Sequence, residues 1–435
     1  SKVCHNAATG SNRCLFMSCP RASTLVLTLL ISLLGIGLAT KFAYADSAEI
    51  KDEYDTCPAS GGFMMLWNAD WLQRAKAERS SNGSRALEAV ICNADRALQR
   101  GPFSVTHKTG FPADRDIHDY YSLAPYWWPD PEKDNGLPYI RRDGQTNPER
   151  YGDGVDGKRR HDMVQDVTAL TLAGYFTQDQ RYLDHAARQI RAWFIDPATS
   201  MNPNMNHAQY IPGRSTGRSI GIIDSREFVR IIEATLLLHR SGALGDDELS
   251  ALKSWFGRFA AWLTDSGHGR KEQAAENNHG TFYDLQLATF LWFSGQEKTA
   301  REVIAAFSEK RVLEQIDPDG RMPRELARTR PFHYTLFNLQ AMVNMALLAA
   351  RLDMEPLKSD LEAGGRLHSA IAFVSGDGHD WPLDPTHPDY MPLYELFLLQ
   401  ETITGRDDFA ALSRQSEAAF DTSVIHLLLP PRNQR

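Results

Sequence analysis

The feature that most constrains this chain is helical periodicity repeated along most of its length, with strand-like alternation weak throughout. Leu87, Val90, Ile91, Ala94 and Leu98 recur at the three-and-four spacing of one helix face. Ser84 stands where an N-cap would open that helix, over residues 85–100. Residues 163–176 and 180–195 read as a helix pair with a short turn between them. Asp224-Ser225-Arg226-Glu227 reads as a capping box opening a helix that runs to about residue 239. Further helices are expected at 247–263, 279–293, 298–311, 331–352, 365–373, 393–402 and 407–420. No Gly-rich phosphate loop and no βαβ spacing appears. Successive helix hairpins, with long connections falling mostly at one end, predict an all-α fold. The expected architecture is an (α/α) toroid, an incomplete barrel of helix hairpins with long functional loops. A weak echo between Ile190-Arg191-Ala192-Trp193-Phe194 and Ala260-Ala261-Trp262-Leu263 fits it. The absence of a strict period argues against tetratricopeptide or ankyrin arrays.

Charge is unevenly distributed. Residues 22–40 contain no charged side chain, Arg21 and Lys41 flank them, and Ala43-Tyr44-Ala45 follows as a small-x-small site. That is the three-part pattern of a secretory signal peptide. The expectation is a leader and upstream extension over residues 1–45, with Met17 a natural start. Residues 46–435 are then one toroid domain exported across the inner membrane to the periplasm, with no stable membrane association after cleavage. A retained anchor helix is the other reading of the apolar run. Residues 1–45 hold Lys2, Arg13, Arg21 and Lys41 and no acid, so the net charge moves from −8 to −12 without them. Such an acidic balance argues against a nucleic-acid partner, which wants a basic face. It leaves room for a polyanion gripped by a local basic cleft. Of the five Cys only Cys57 and Cys92 lie beyond the leader; an oxidising compartment would permit their pairing, and two free thiols are the alternative.

Two connections are too long to be mere links, residues 101–157 and 196–223. The first carries Tyr126-Trp127-Trp128-Pro129-Asp130-Pro131 and, after it, Leu137-Pro138-Tyr139-Ile140-Arg141-Arg142-Asp143-Gly144. Aromatics stiffened by proline offer flat plates for the C–H faces of sugars, with charge beside them; a Trp-rich plug sealing the domain end is the plainer reading. The second carries Asn206, His207, Gln209, Arg214 and Arg218, a dense set of neutral and cationic donors suited to a ligand with hydroxyls and carboxylates. Its plainer reading is a loop that satisfies its own backbone through Asn. Glu276-Asn277-Asn278-His279-Gly280-Thr281-Phe282-Tyr283-Asp284 opens an apolar helix, where free amide groups favour an anion. Arg328-Thr329-Arg330-Pro331-Phe332-His333-Tyr334 sets Pro331 in a first helical turn, with Tyr334 on that turn and Arg328 in the loop before it. No His or Cys stands at metal-ligand spacing.

Four of these stretches in this order, Tyr126 to Pro131, Leu137 to Gly144, Asn277 to Asp284 and Arg328 to Tyr334, together resemble the alginate-lyase-type polysaccharide lyases, nearest the branch that includes glucuronan and alginate lyases. The similarity spans roughly residues 120–350. The resemblance implies an (α/α) toroid that cleaves 1,4-linked uronate polymers by β-elimination. It implies that Asn278 and Arg328 neutralise the C5 carboxylate, that His279 assists, and that Tyr334 transfers the proton. Tyr126, Trp127, Trp128, Arg141, Asn206, His207, Gln209, Arg214, Arg218, Tyr283 and His333 form the expected substrate-binding set. The partner is then an acidic polysaccharide, and no cofactor or metal is expected. Gly280 departs from the Asn-Asn-His-Ser form seen in some relatives, so their substrate preference does not transfer.

The chemistry explains the residue types. The proton removed lies α to a carboxylate, so donors aimed at that group must stabilise the enolate-like state. A phenol of pKa about 10 needs cationic neighbours to act as a base near neutrality, a role for Arg328. In β-mannuronate or β-glucuronate, H5 and O4 leave from one face, so Tyr334 alone could serve as base and acid. His279 as base with Tyr334 as acid is the alternative. Two further readings stand beside the lyase: an α/α-toroid hydrolase using two of Asp224, Glu276 and Asp284, and a non-catalytic polyuronate-binding protein.

Overall fold

A computed structural model describes residues 57–430, apart from 59, 61, 80–83, 111–113, 356, 377–380 and 382–383; the expected leader lies outside the described residues. The helices are α1 (Ala69–Arg79), α2 (Arg85–Ala97), α3 (Gly157–Thr177), α4 (Gln180–Ile190), α5 (Phe228–Arg240), α6 (Asp246–Asp265), α7 (Gly267–Gln273) and α8 (Asn278–Phe293). They continue as α9 (Glu297–Phe307), α10 (Pro323–Leu326), α11 (Pro331–Arg351), α12 (Lys358–Leu361), α13 (Arg366–Ser375), α14 (Met391–Thr404), α15 (Ala410–Ser416) and α16 (Ile425–Leu428). Two small pairs accompany them: β1 (Tyr121–Leu123) is parallel to β4 (His207–Tyr210), and β2 (Trp127–Trp128) is antiparallel to β3 (Ile140–Arg141).

The helices form the expected α/α toroid. α3, α5, α8, α11 and α14 each touch the next, making an inner layer. α4, α6, α9 and α13 lie outside, each packed against two neighbouring inner helices. Sequence explains the division. α8 and α11 are apolar on nearly every side and are buried almost throughout, as a helix enclosed by others must be. α4 and α9 keep one apolar face, including Leu183, Ala187 and Ile190 on α4, and turn the other to water. α16 packs on α1 and α2, so the C-terminal end of the chain returns to its beginning.

Three findings go beyond the sequence expectation. The segment Phe63-Met64-Met65-Leu66-Trp67, entered through half-buried Gly62, is buried without belonging to a helix or sheet. Its backbone is satisfied by side chains of the inner layer instead. The Phe63 and Met65 N–H groups donate to Glu395 (2.8 Å) and Asn344 (2.7 Å), and the Gly62 and Trp67 carbonyls accept from Arg230 and Arg351. Second, Cys57 and Cys92 form a disulfide, which fastens the chain ahead of this segment to α2. Third, Asp224-Ser225-Arg226-Glu227 is no capping box. Residues Ser219–Glu227 form a 3-10 turn, and α5 starts only at Phe228. The Asp224 carboxylate accepts instead from Ser122 Oγ (2.7 Å), Gln209 Nε2 (2.9 Å) and Tyr120 Oη (3.2 Å). Glu227 pairs with Arg160 at 2.7 Å. Long-range partners have displaced local capping, because buried carboxylates need more donors than one backbone turn supplies.

The disulfide closes a loop of sequence separation 35, which in the chain-entropy account is worth about 3–4 kcal/mol. Cys92→Ser should therefore lower the free energy of unfolding by roughly that amount, read by denaturant titration under oxidising conditions. No difference between parent and variant would mean the bond does not constrain the unfolded chain.

Candidate active site

Four segments far apart in sequence meet above the starts of α8 and α11. The two long loops are joined first. β1 pairs with β4, Tyr139 N–H donates to the Pro212 carbonyl (3.1 Å), and Arg214 Nε donates to the Tyr139 carbonyl (2.7 Å). The first loop then reaches α11, where the Tyr126 and Tyr334 hydroxyls share a hydrogen bond of 2.8 Å. Gly144, at φ +74°, lies against Thr329, so a Cβ there would be strained by the backbone and would press on the Thr329 hydroxyl. The second loop touches α6 through Trp262 Nε1, which donates to Asn206 Oδ1 at 3.2 Å.

Asn277 caps α8 by accepting from the His279 N–H. Asn278, buried at 1% exposure, donates its backbone N–H (2.7 Å) and its side-chain amide (2.9 and 3.0 Å) to the carboxylate of Glu325. Burial raises the Glu325 pKa, while the Asn278 bonds, Arg328 and His279 pull the other way. Glu325 thus binds the third motif to the fourth. The Asn278 amide is occupied by this carboxylate, so the structure gives Asn278 an anchoring place beneath the cleft.

His279 is held from below. Its Nδ1 lies 2.7 Å from Oε1 of Glu272, a carboxylate 1% exposed on α7. With Nδ1–H donated there, Nε2 carries the lone pair, as in the His–carboxylate arrangement of general-base catalysis. Sequence reasoning missed Glu272 and Glu325. Both are acids that look like ordinary helix-surface residues, and only their burial reveals them. His268 on α7 was missed too; loss of hydration and then Lys271 and His207 lower its pKa.

Tyr334 is buried, and the Arg328 guanidinium lies 3.8 Å from the centre of its ring. The expectation that Arg328 brings the phenol toward neutrality is only half met. Burial and the Tyr126 hydroxyl raise the Tyr334 pKa, and Arg328 opposes them without prevailing. Tyr334 is therefore a firmly protonated phenol in this state.

The expected binding residues divide. Tyr126, Trp127 and Trp128 are half-buried, with Arg214 over Trp127 (5.3 Å) and Arg142 over Trp128 (5.4 Å). Arg141 is exposed and pairs with Asp143 at 2.7 Å. His207 is half-buried, its Nδ1 3.1 Å from the Thr216 carbonyl. Burial lowers the Arg218 pKa to about 10, with Asp224 opposing, while its guanidinium donates to Oε1 and the carbonyl of Gln209. Two residues are corrected. Tyr283 is fully buried and donates to the Leu263 carbonyl at 2.9 Å, so it belongs to the core. Gln209 spends its side chain between Asp224 and Arg218 and is a loop brace. His333 lies flat against Phe337, with centroids 6.0 Å apart, and loss of hydration there, then Arg330, lowers its pKa to about 4.

The carboxylates that a hydrolase would need are engaged elsewhere. Asp224 holds three donors, Asp284 is buried against Arg311 (2.7 Å) and Lys310 (3.2 Å), and Glu276 pairs with Arg324 at the surface. Among the described residues no three His, Cys, Asp or Glu side chains are grouped to share a metal ion.

Gly280, the position that departs from the Asn-Asn-His-Ser form, has a packing reason. A Cβ there would overlap the Ala275 carbonyl and the Arg311 guanidinium. Arg311 in turn donates to Ala275 and Gln273 carbonyls (2.5 and 2.7 Å). Gly→Ala inside a helix ordinarily stabilises, yet Gly280→Ala should destabilise by about 1–3 kcal/mol, seen as a lower melting temperature. A higher melting temperature would show that Arg311 moves freely aside.

Comparison with known proteins agrees with this geometry. The profile of the alginate lyase family matches residues 104–377, which include all four motifs. A crystal structure of an alginate lyase from Bacteroides ovatus is 34% identical, with a TM-score of 0.77, covering 84% of this chain and 98% of its own. Alginate lyase A1-III from Sphingomonas species A1 is 14% identical with a TM-score of 0.42, covering 86% and 100%. No curated protein sequence matches the chain. A profile match over most of the toroid, with a third of residues shared with a solved relative over nearly its whole length, shows that the chain belongs to the alginate lyase family.

Proposed function

We propose that this protein is a polysaccharide lyase that cleaves 1,4-linked polyuronates, alginate in its polymannuronate form or glucuronan, by β-elimination. The observation that carries this is Arg328 lying on Tyr334, which bonds Tyr126 of the aromatic loop, on a segment that Glu325 ties to the start of α8 bearing the Glu272-held His279. The uronate ring stacks against Tyr126, Trp127 and Trp128, and its C5 carboxylate faces Arg328. His279 Nε2 removes H5, and the guanidinium stabilises the charge that moves onto the carboxylate as an enolate-like state. The C4–O4 bond then breaks with its electron pair on oxygen, and Tyr334 delivers its proton there. The products are a new reducing end, which keeps the protonated oxygen, and a 4,5-unsaturated uronate at the new non-reducing end. The raised pKa of Tyr334 favours this division, because a protonated phenol is an acid in waiting and a poor base. Asn278 serves by holding the start of α8 on Glu325. A binding protein without turnover would need neither the Glu272–His279 pair nor the Arg328–Tyr334 stack.

Two further parts of the reading have their own support. Export to an oxidising compartment is supported by the Cys57–Cys92 bond and by the leader-like pattern at residues 21–45. A polyanionic substrate despite net charge −8 is supported by the Arg residues gathered at the cleft.

Purified protein given polymannuronate, polyguluronate and polyglucuronate should generate the ultraviolet absorbance of an unsaturated uronate with at least one of them. Saturated products, or none from all three, would overturn the lyase reading. Tyr334→Phe should lower kcat by about a thousandfold or more while oligosaccharide binding changes little. If binding is lost instead, Tyr334 recognises substrate and does not react with it.

The pH profile separates the two proton assignments. An acid with a raised pKa stays protonated through the alkaline range, so kcat should not climb as pH approaches about 10. A tenfold rise per pH unit there would make Tyr334 the base.

A further inference from the structure

The run Asp224-Ser225-Arg226-Glu227 ends the 3-10 turn at the entrance to α5, and that turn packs against α7 and α8, the carriers of Glu272 and His279. Three of its four side chains are committed. Asp224 holds the two long loops, Ser225 Oγ donates to Gln286 of α8 at 2.7 Å, and Glu227 pairs with Arg160 at 2.7 Å. The backbone that carries Arg226 is therefore fixed on both sides of it.

Arg226 itself is short of partners. It is half-buried, and among the described residues it forms no ion pair and donates one hydrogen bond, from Nη1 to the Ile223 carbonyl at 3.1 Å. Its Nε and Nη2 find no acceptor, yet they are not sealed from solvent as the orphaned Nε of Arg160 is. Buried charges are ordinarily paired, as Arg160 is with Glu227, Arg311 with Asp284 and Arg351 with Glu233. Loss of hydration lowers the Arg226 pKa against the pull of Glu227, so its charge is only partly compensated. The guanidinium is held over Phe337, 5.3 Å from the ring centre. Phe337 follows His333 by four residues and Tyr334 by three, so it neighbours both on α11. Three residues are about 4.5 Å along the helix axis, which sets Arg226 one step further into the toroid than Tyr334. Burial and Arg330 do most to lower the His333 pKa, and Arg226 and Arg328 both add to it, so the two guanidinium groups act on one imidazole.

We propose that Arg226 is a substrate-binding residue that takes the carboxylate of a second uronate, the neighbour of the sugar whose C5 carboxylate faces Arg328. Nε–H and Nη2–H lie along one edge of the planar guanidinium, the fork that grips a carboxylate with two parallel bonds. Ile223 takes Nη1 and leaves that edge free. A neutral sugar would bring only hydroxyls to it, and the charge would stay uncompensated. The protein therefore selects polymers in which acid groups follow one another on adjacent rings, over chains where uronate alternates with neutral sugar. This deepens the lyase reading and rests on it, since the first carboxylate is the one that the elimination needs.

The test titrates the full chain carrying Tyr334→Phe, which blocks turnover, by calorimetry. The ligands are tetramannuronate and tetraglucuronate, and the same tetrasaccharides with their carboxyls reduced to alcohols. Adding Arg226→Gln should weaken the acidic ligand that binds by about ten- to a hundredfold, the loss of one charge-assisted pair. Arg226→Lys, which keeps the charge and loses the fork, should fall between the two. The reduced tetrasaccharides should not distinguish the three proteins. Equal affinity for the acidic ligand with and without Arg226 would overturn the proposal, and so would an equal loss for the reduced ligand, which is what a merely structural arginine would give. If Arg226→Gln does not fold, Arg226→Lys decides alone: weaker binding of the acidic ligand only supports the proposal, and unchanged binding overturns it. Because the assay reads binding, failure of the lyase reading shows separately, as no unsaturated product from the unsubstituted chain.

Discussion

The buried carboxylate of Asp224 holds the first long loop through Tyr120 and Ser122 and the second through Gln209, all at the entrance to α5. Neither loop has a core of its own beyond the small cluster of Tyr121, Leu123 and Val155. Their strands are only three and four residues long, too short to be stable alone. What keeps the aromatic residues and the arginines over the starts of α8 and α11 is therefore a set of polar bonds to one anion on the helical frame. Gln209 passes the same restraint on to Arg218. A neutral residue at 224 would leave several buried donors without an acceptor at once, a larger penalty than the loss of any single bond.

Charge is used in the same way below the cleft. Burial pushes Glu227 upward, but Arg160, with help from His161 and Arg226, overrides it and keeps Glu227 well below the usual carboxylate range. Further along α5, Arg230 and Glu233 meet the Gly62 carbonyl and Arg351. These groups lie where apolar inner helices leave the middle of the toroid to an extended segment whose peptide groups have no sheet to join. Buried ions are costly unless fully partnered, and here the partners are the backbone of residues 62–67 and one another. The interior is thus assembled from complementary polar groups, although the helices that surround it are among the most apolar stretches in the chain.

Much of the local frame of the candidate site could be read before any coordinates. The helix start at Asn277-Asn278, Tyr334 on the first turn after Pro331, and the aromatic run Tyr126, Trp127 and Trp128 depend on local rules of turn position and residue type. Three kinds of error share one cause. Tyr283 looked like a binding aromatic because it sits within a motif, yet its hydroxyl is spent on Leu263 inside the core. Gln209 looked like a ligand donor and is a brace. Glu272 and Glu325 looked like surface acids and prove to be the groups that hold His279 and Asn278. In each case a polar side chain's meaning depends on what faces it across space, and residue type alone carries no record of that.

The sequence by itself determined the helical frame, because apolar period and capping are local and survive without knowledge of the partner. Through the motifs it shares with the alginate lyase family it also pointed to the class of enzyme. Only the tertiary structure decided the direction in which the Tyr334 pKa moves. Arg328 beside Tyr334 argued for a lowered phenol pKa, but burial and the hydroxyl of Tyr126, a residue 208 positions away, outweigh it. Desolvation and long-range contacts set that balance, and both exist only once the chain has closed on itself.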